Sequence, residues 1–401
     1  MTGRRKITIL YCLFFAGLLG LCSCGSPSSD STGNQKAELE SEQTVLNQTE
    51  DTESISKELV YESSMELLYA KNFSVDYYEG GYKLLSITDG TQILVVPEGK
   101  ETPEDLNKSV IVMQQPVKNL YLVASSVMDM FDKLDALDTI RLSGQKEDGW
   151  YIEAARKAMA EGDILYAGKY NKPDYELITS ENCSLAIENR MISHSPEVIE
   201  MLEDFGIPVM TEYSSYESHP LGRVEWIKFF GALVGKEKEA EKAFDEQVAL
   251  LNDVTADEKT DQTVAFFFVT SNGLIQVRQS SDYIPKMIEL AGGRYIFENV
   301  GDSSSARSTI NMQIEEFYDG AKDADFIIYN SSIDGGVNSI EELIDKCPVL
   351  ADFKAVKERN VWCTTNDMYQ QSMSIGYLTK DIHSMLLGKG EEEMTYLFRL
   401  E

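Results

Sequence analysis

Pro220-Leu221-Gly222-Arg223-Val224-Glu225-Trp226-Ile227 opens the stretch that decides the fold. From Leu221 to Asn252 the apolar residues Trp226, Ile227, Phe230, Leu233, Val234, Ala240, Phe244, Val248 and Leu251 keep helical spacing, which predicts one long helix. Roughly 30 residues at about 1.5 Å each reach about 45 Å, more than one small domain needs, so the helix is expected to run between two lobes. Gly231 and Gly235 weaken it somewhat.

Both sides of this stretch read as alternating strands and helices. Upstream, Leu120-Tyr121-Leu122-Val123-Ala124 is a buried strand, and Ser125-Ser126 opens a helix through Leu137. Ile164–Ala167, Leu185–Ile187 and Ile207–Met210 are further strands, and a helix runs from Pro196 to Phe205, stopped by Gly206. Downstream, Val264–Val269 is a fully buried strand, Tyr283–Ala291 a helix, Met312–Gly320 another, Phe326–Tyr329 and Asn360–Cys363 strands, and Ser372–Leu387 the last helix. Strands alternating with helices mean parallel sheets. The expected class is therefore α/β, two lobes with parallel sheets joined by one long α-helix. A small amino-terminal β-hairpin region precedes them, where Gly80-Gly81 and Asp89-Gly90 separate β-rich runs over residues 73–96.

The chain begins as an exported protein would. Arg4, Arg5 and Lys6 precede an apolar run from Ile7 to Leu21, which ends in Leu21-Cys22-Ser23-Cys24-Gly25. A basic start, a short apolar core and small residues before a cut site describe a secretory signal, and the run is short for a membrane span of about 20 residues. The ending resembles a bacterial lipobox, with Cys24 as the residue to be lipidated and the bilayer as a partner. From Cys24 to Tyr61 no aromatic residue occurs, so a disordered acidic tether is expected, with a reach of roughly 35 Å for about 40 residues. The expected divisions are 1–23 signal, 24–64 tether, 65–110 β region, 111–220 amino-terminal lobe, 221–253 helix and 254–401 carboxyl-terminal lobe.

The formal net charge is −31, and residues 1–23 carry three cations and no acid, so the exported form is more negative still. Such a charge argues against nucleic acid, which needs a basic footprint. Beyond Cys24 there are Cys183, Cys347 and Cys363, an odd number without C-x-x-C spacing, which excludes a zinc knuckle or disulfide framework. Cys347 and Cys363 either pair or stay as buried thiols.

The ordered pattern resembles the type III periplasmic-binding-protein family, the substrate-binding lipoproteins of ABC importers for ferric siderophores, haem and vitamin B12. The likeness rests on Tyr166-Ala167-Gly168-Lys169-Tyr170 with Pro173-Asp174-Tyr175-Glu176. It continues in Ser195-Pro196-Glu197-Val198 through Gly206-Ile207-Pro208-Val209, the opening of the long helix, Leu290-Ala291-Gly292-Gly293, and Ile314-Glu315-Glu316-Phe317 before Asp323-Ala324-Asp325-Phe326-Ile327-Ile328. It covers about residues 110 to 388. It implies a receptor without catalysis or cofactor, a chelate ligand, and an ABC permease with its ATPase as partners. It also implies docking on the permease through one acid per lobe, Glu197 and Glu315, with Glu316 as the alternative to the latter.

Ligand contacts in such a fold come from loops at the carboxyl ends of strands. Here those loops supply Ser125, Ser126, Tyr170, His194, Tyr213, Ser214, Asn272 and Asn330. Arg190, Arg278 and Arg307 are candidates to hold an anionic group by forked donation. The haem pattern of the resembling family is broken: Tyr170 stands where one haem subgroup has Met, and Asn330-Ser331 where it has His. Three scattered histidines, His194, His219 and His383, argue against a zinc or manganese site. No G-x-S-x-G, H-E-x-x-H, Walker or G-x-G-x-x-G motif occurs, which leaves no candidate nucleophile or phosphate loop. A lipid-anchored adhesin or sensor that kept the fold without transport is the alternative reading.

Overall fold

The computed structural model describes residues 55–255, 259–301 and 308–401; Cys24 and Arg307 lie outside them. Described residues begin inside the expected tether. Ile55 is buried with Leu84, Leu94, Val96 and Val110, and Ser56 hydrogen-bonds Asp105. The last ten residues of the expected tether are thus packed on the first sheet, held by Ile55, Leu59 and the Ser56–Asp105 bond.

The amino-terminal region is a five-stranded sheet: β1 (Tyr61–Ser64), β2 (Phe73–Tyr78), β3 (Tyr82–Ile87), β4 (Gln92–Val96) and β5 (Ile111–Gln114), in that order. β1 to β4 are antiparallel, whereas β4 and β5 pair parallel. β5 therefore belongs to this sheet, and the first lobe starts at Leu120 instead of 111. Both faces are covered. Val75, Leu85, Ile93, Val95 and Met113 join the main core, while Leu84, Leu94 and Val96 face the small cluster around Ile55.

The first lobe comprises β6 (Leu120–Leu122), α1 (Met128–Lys133), β7 (Ile140–Ser143), α2 (Glu153–Glu161), β8 (Leu165–Tyr166), the short hairpin β9 (Gly168–Lys169) and β10 (Lys172–Pro173), α3 (Tyr175–Ser180), β11 (Leu185–Glu188), α4 (Pro196–Asp204) and β12 (Val209–Thr211). Its sheet has the order β12-β11-β6-β7-β8 and is parallel throughout. The helix expected after Ser125 is shorter than read, a 3-10 turn followed by α1.

The expected single connecting helix is two helices, α5 (Pro220–Val234) and α6 (Glu237–Thr255). Gly235 adopts φ 77°, a left-handed cap that a side chain resists, and the Lys236 amide closes back on the Gly231 carbonyl at 2.7 Å. α6 then folds back along α5. A Cβ on Gly231 would lie 2.6 Å from that of Ala240, and the Lys228 ammonium sits 4.3 Å from the Phe244 ring centre. The two glycines that only weakened the helix in sequence are the turn and the point of close approach. α5 is buried almost all round: Trp226 and Phe229 meet Phe73 of the first sheet, and Phe230 meets Phe131 of α1.

The second lobe comprises β13 (Thr263–Val269), β14 (Ile275–Arg278), α7 (Tyr283–Leu290), β15 (Arg294–Tyr295), β16 (Thr309–Met312), α8 (Ile314–Ala321), β17 (Phe326–Tyr329), α9 (Ile340–Lys346), α10 (Lys354–Lys357), β18 (Val361–Thr364), α11 (Ile375–Leu387) and β19 (Leu397–Arg399). The sheet order is β16-β14-β13-β17-β18-β19, with β15 also on β13. Only its centre is parallel; β14 pairs antiparallel with both β13 and β16, and β19 with β18. Cys183, Cys347 and Cys363 are buried free thiols, so the Cys347–Cys363 pairing does not form.

Candidate functional site

The carboxyl ends of β6, β7, β8 and β11 open onto a cleft of about 590 Å³. Ser125, Gly144, Gln145, Lys146, Tyr166, Lys169, Tyr170 and Asn189 are among its walls. Gly144 is there for a steric reason: a Cβ on it would meet the Val123 Cα at 2.9 Å, so only glycine lets β6 and β7 end side by side. The Lys146 ammonium stands 5.6 Å from the Tyr166 ring centre. One carboxylate, that of Asp148, lines the cleft beside these cations.

Next to it the ends of β11 and β12 form a cationic and aromatic rim. The Arg190 guanidinium lies 4.4 Å from the Tyr216 ring centre and 5.5 Å from that of Tyr213. The Asp89 carboxylate, at the tip of the β3–β4 hairpin, faces the Tyr213 hydroxyl, and burial together with that charge raises its pKa. The amino-terminal sheet thus reaches the mouth of the site. Ser126 donates to Glu212 at 3.2 Å, and the same carboxylate takes the Ser214 amide at 2.8 Å. Behind the cleft, Glu188 ends β11 fully buried, with neither oxygen hydrogen-bonded, and desolvation pushes its carboxyl up to about 8.

The lobes touch beside the cleft. Gln370, after β18, accepts from the Tyr151 amide and donates to the Gly149 carbonyl, both at 2.8 Å. Asp129 of α1 accepts from the Met373 amide at 2.7 Å; burial raises this carboxyl to about 6.

The structure brings Ser125 and Tyr170 into the cleft, places Arg190 and Tyr213 at its rim, and puts Ser126 and Ser214 beside them on Glu212. It does not bring the others there. His194 is exposed at the end of a 3-10 turn, and Asn272 is exposed and accepts from Thr270 in the β13–β14 turn. Asn330 is buried and donates to the Tyr369 hydroxyl at 2.7 Å. Arg278 is buried too, bonded to Tyr369 and 3.7 Å from Asp282, so it serves the second lobe's interior. Glu197 and Glu315 are exposed in the first turns of α4 and α8. α4 follows β11, and α8 follows β16, which runs in the same direction as β13, so both acids start helices at the carboxyl ends of their sheets. Sequence reading missed Gln145, Lys146 and Asp148, because β7 was unassigned. The alternation Ile140-Arg141-Leu142-Ser143 before Gly144 was the available signal.

No family model matches the chain. Two curated relatives of Methanocaldococcus jannaschii, each described as an uncharacterized lipoprotein, are similar. One is 26% identical over 76% of this chain and 77% of its own length; the other is 24% identical over 99% and 100%. Among solved structures, a periplasmic haem-binding protein of Vibrio cholerae aligns with TM-score 0.54 at 15% identity, over 67% of this chain and 98% of its own. A molybdate periplasmic binding protein of Haemophilus influenzae, part of an ABC transporter, aligns with TM-score 0.53 at 13% identity, over 68% and 86%. The chain has the type III periplasmic-binding-protein fold. In this fold the two α/β lobes are fixed by the α5–α6 pair, and the cleft lies at the carboxyl ends of the first lobe's strands, beside the Gln370 contact.

Proposed function

We propose that this chain is the extracytoplasmic solute receptor of an ABC importer, with no catalytic step. On this reading Cys24 carries the lipid anchor, and the relatives described as lipoproteins support export. The cargo is an iron-siderophore, a corrinoid or a similar chelate. The observation that carries the reading is the cleft. Lys146 and Lys169 line it with Tyr166 and Tyr170, and Arg190 sits on the adjacent rim, in a protein of net charge −31. No carboxylate pairs with Arg190 among the described residues, where its partners are the faces of Tyr213 and Tyr216. Three cations at a cleft that one carboxylate, Asp148, lines favour an anion in so acidic a chain, and tyrosine faces favour a flat or aromatic one. Glu197 and Glu315, exposed on the same end of both lobes, are the docking acids for the permease.

The test is a thermal-shift panel of ferric siderophores, cobalamin, haemin, zinc and molybdate. A ligand at about 100 times its dissociation constant adds roughly 2.7 kcal/mol. One anionic chelate should stabilise the protein, and Glu197→Ala with Glu315→Ala should abolish uptake while leaving that shift intact. Silence across a well-folded sample would remove these chelates as cargo and favour the adhesin or sensor reading.

A further inference from the structure

Arg223, in the first turn of α5, is only 7% exposed, yet its guanidinium makes no hydrogen bond and no ion pair among the described residues. Its contact is the Tyr283 ring, whose centre lies 4.0 Å from the guanidinium carbon. Its Nε is fully buried without a partner. Burying that N–H without an acceptor is costly. Arg223 lines a small cavity of about 20 Å³ together with Tyr369, Gln371 and Ser372. That volume suits one water-sized occupant.

The other walls add donors. Ser372 is 5% exposed and its hydroxyl has no partner. The Tyr369 hydroxyl already accepts from Arg278 and from Asn330, which leaves its own proton to give. A halide accepts from all three donors, whereas a water would also have to turn its own protons toward the Gln371 or Tyr396 oxygen, which line the same cavity. Of the nearby carboxylates, Asp282 feels the Arg223 charge at a distance, but it lies 3.7 Å from Arg278 and accepts the Ile284 amide; Asp129 takes the Met373 amide, and Asp381 takes the amides of Thr395, Tyr396 and Leu397. Asp367, the remaining acid near Tyr396, is half-exposed.

We propose that Arg223, Ser372 and Tyr369 form a binding site for a monatomic anion of the chloride class. The site joins α5 and α7 to the 368–374 turn, the same turn that Gln370 and Met373 tie to the first lobe. Occupancy therefore braces the lobe junction, independently of what the main cleft carries.

Thermal unfolding of the protein in 150 mM sodium gluconate, chloride or bromide tests this. With a dissociation constant of about 10 mM, the halides raise the folded-to-unfolded ratio roughly 16-fold over gluconate, a rise of roughly 3 °C. Arg223→Met should remove the difference between salts. An anomalous bromide peak in the cavity of wild-type crystals is the second expected result, and it stands whether or not the variant folds. Equal melting in the three salts, with no bromide peak at Arg223, would overturn the site and leave an ordered water in its place.

Discussion

Glu225 should be among the most destabilising single positions in this protein to truncate, although it lines neither the cleft nor the Arg223 cavity. Its side chain is fully buried on α5, and its carboxylate accepts the backbone amides of Leu68, Tyr69 and Ala70 at 2.9, 2.8 and 2.8 Å, with Lys228 at 3.2 Å. Glu217 holds the next two amides, Lys71 and Asn72, and the Trp226 indole. Together the two acids clamp the segment between β1 and β2 onto the connecting helix. Each amide-to-carboxylate bond contributes about 1.5–3 kcal/mol net. The full sum overstates the loss, since the Leu68 and Tyr69 amides are partly exposed and can rehydrate. Only the Ala70 bond is wholly buried, and Lys228 is left half-buried without its partner. Glu225→Ala should therefore cost about 4 kcal/mol, within the range for breaking a buried charged contact and a large part of a typical total of about 5–15 kcal/mol. Glu225→Gln keeps one acceptor and should cost about half as much. Equilibrium unfolding in urea would show a lower midpoint at unchanged slope, and trypsin should cut after Lys71 sooner in the variant. A loss below about 1 kcal/mol, with no change in cleavage at Lys71, would refute the clamp.

Four further outcomes are expected. Glu188 has its folded pKa raised from 4.5 to about 8 by burial; the folded state then binds more protons between those values, so stability falls as pH rises through that window, by roughly 5 kcal/mol. Glu188→Gln should remove that slope in pH-dependent unfolding, and an unchanged slope would contradict it. Asp129 titrates the same way between 3.8 and about 6, so Asp129→Asn, which can still accept the Met373 amide, should flatten the stability profile in that lower window only. Gly235→Ala forces a side chain into a left-handed cap and toward Gln115 at 3.1 Å, which should lower stability by about 1 kcal/mol in urea unfolding. Arg190→Ala should leave the melting temperature of the free protein nearly unchanged while reducing the shift from whichever anionic panel compound stabilises the wild type.

The α/β class and the order of the two lobes could be read from the chain because buried parallel strands are short apolar runs, and Val264–Val269 and Phe326–Tyr329 are nearly pure examples. The hairpins of the first sheet were readable for another reason: Gly80-Gly81 and Asp89-Gly90 mark turns by backbone chemistry alone. The break between α5 and α6 was not, since apolar spacing continues through it and the reversal shows in the Gly235 cap and in the contacts of Gly231 with Ala240 and of Lys228 with Phe244. β16 and β19 pair at long range and have no local signature stronger than a few alternating residues, whereas β14 follows β13 through the Asn272-Gly273 turn, a hairpin signal that went unread. The site divided along the same line. Ser125 and Tyr170 follow strands that the sequence announced. Lys146 follows β7, which it did not, and Asp89 reaches Tyr213 from a region that sequence reading gave no role.

That last contact bears on how the two lobes hold each other. The residues flanking α5 belong to three different regions: Phe73 to the first sheet, Phe131 to the first lobe and Tyr283 to the second. All three sit in one continuous apolar core, which extends through Phe266, Phe267 and Phe317 of the second lobe. A hinge that opened widely would have to expose part of that core, at roughly 25 cal/mol for each square ångström of apolar surface. It would also break the Asp129–Met373 and Gln370–Gly149 bonds. By contrast, the side chains of Lys146, Tyr170 and Arg190 stand outside that core, and their rotamers can change without breaking these contacts. Adaptation to a solute therefore falls to side chains and loop tips at the cleft, while α5 and the sheet packed on it keep the lobes at a nearly fixed separation.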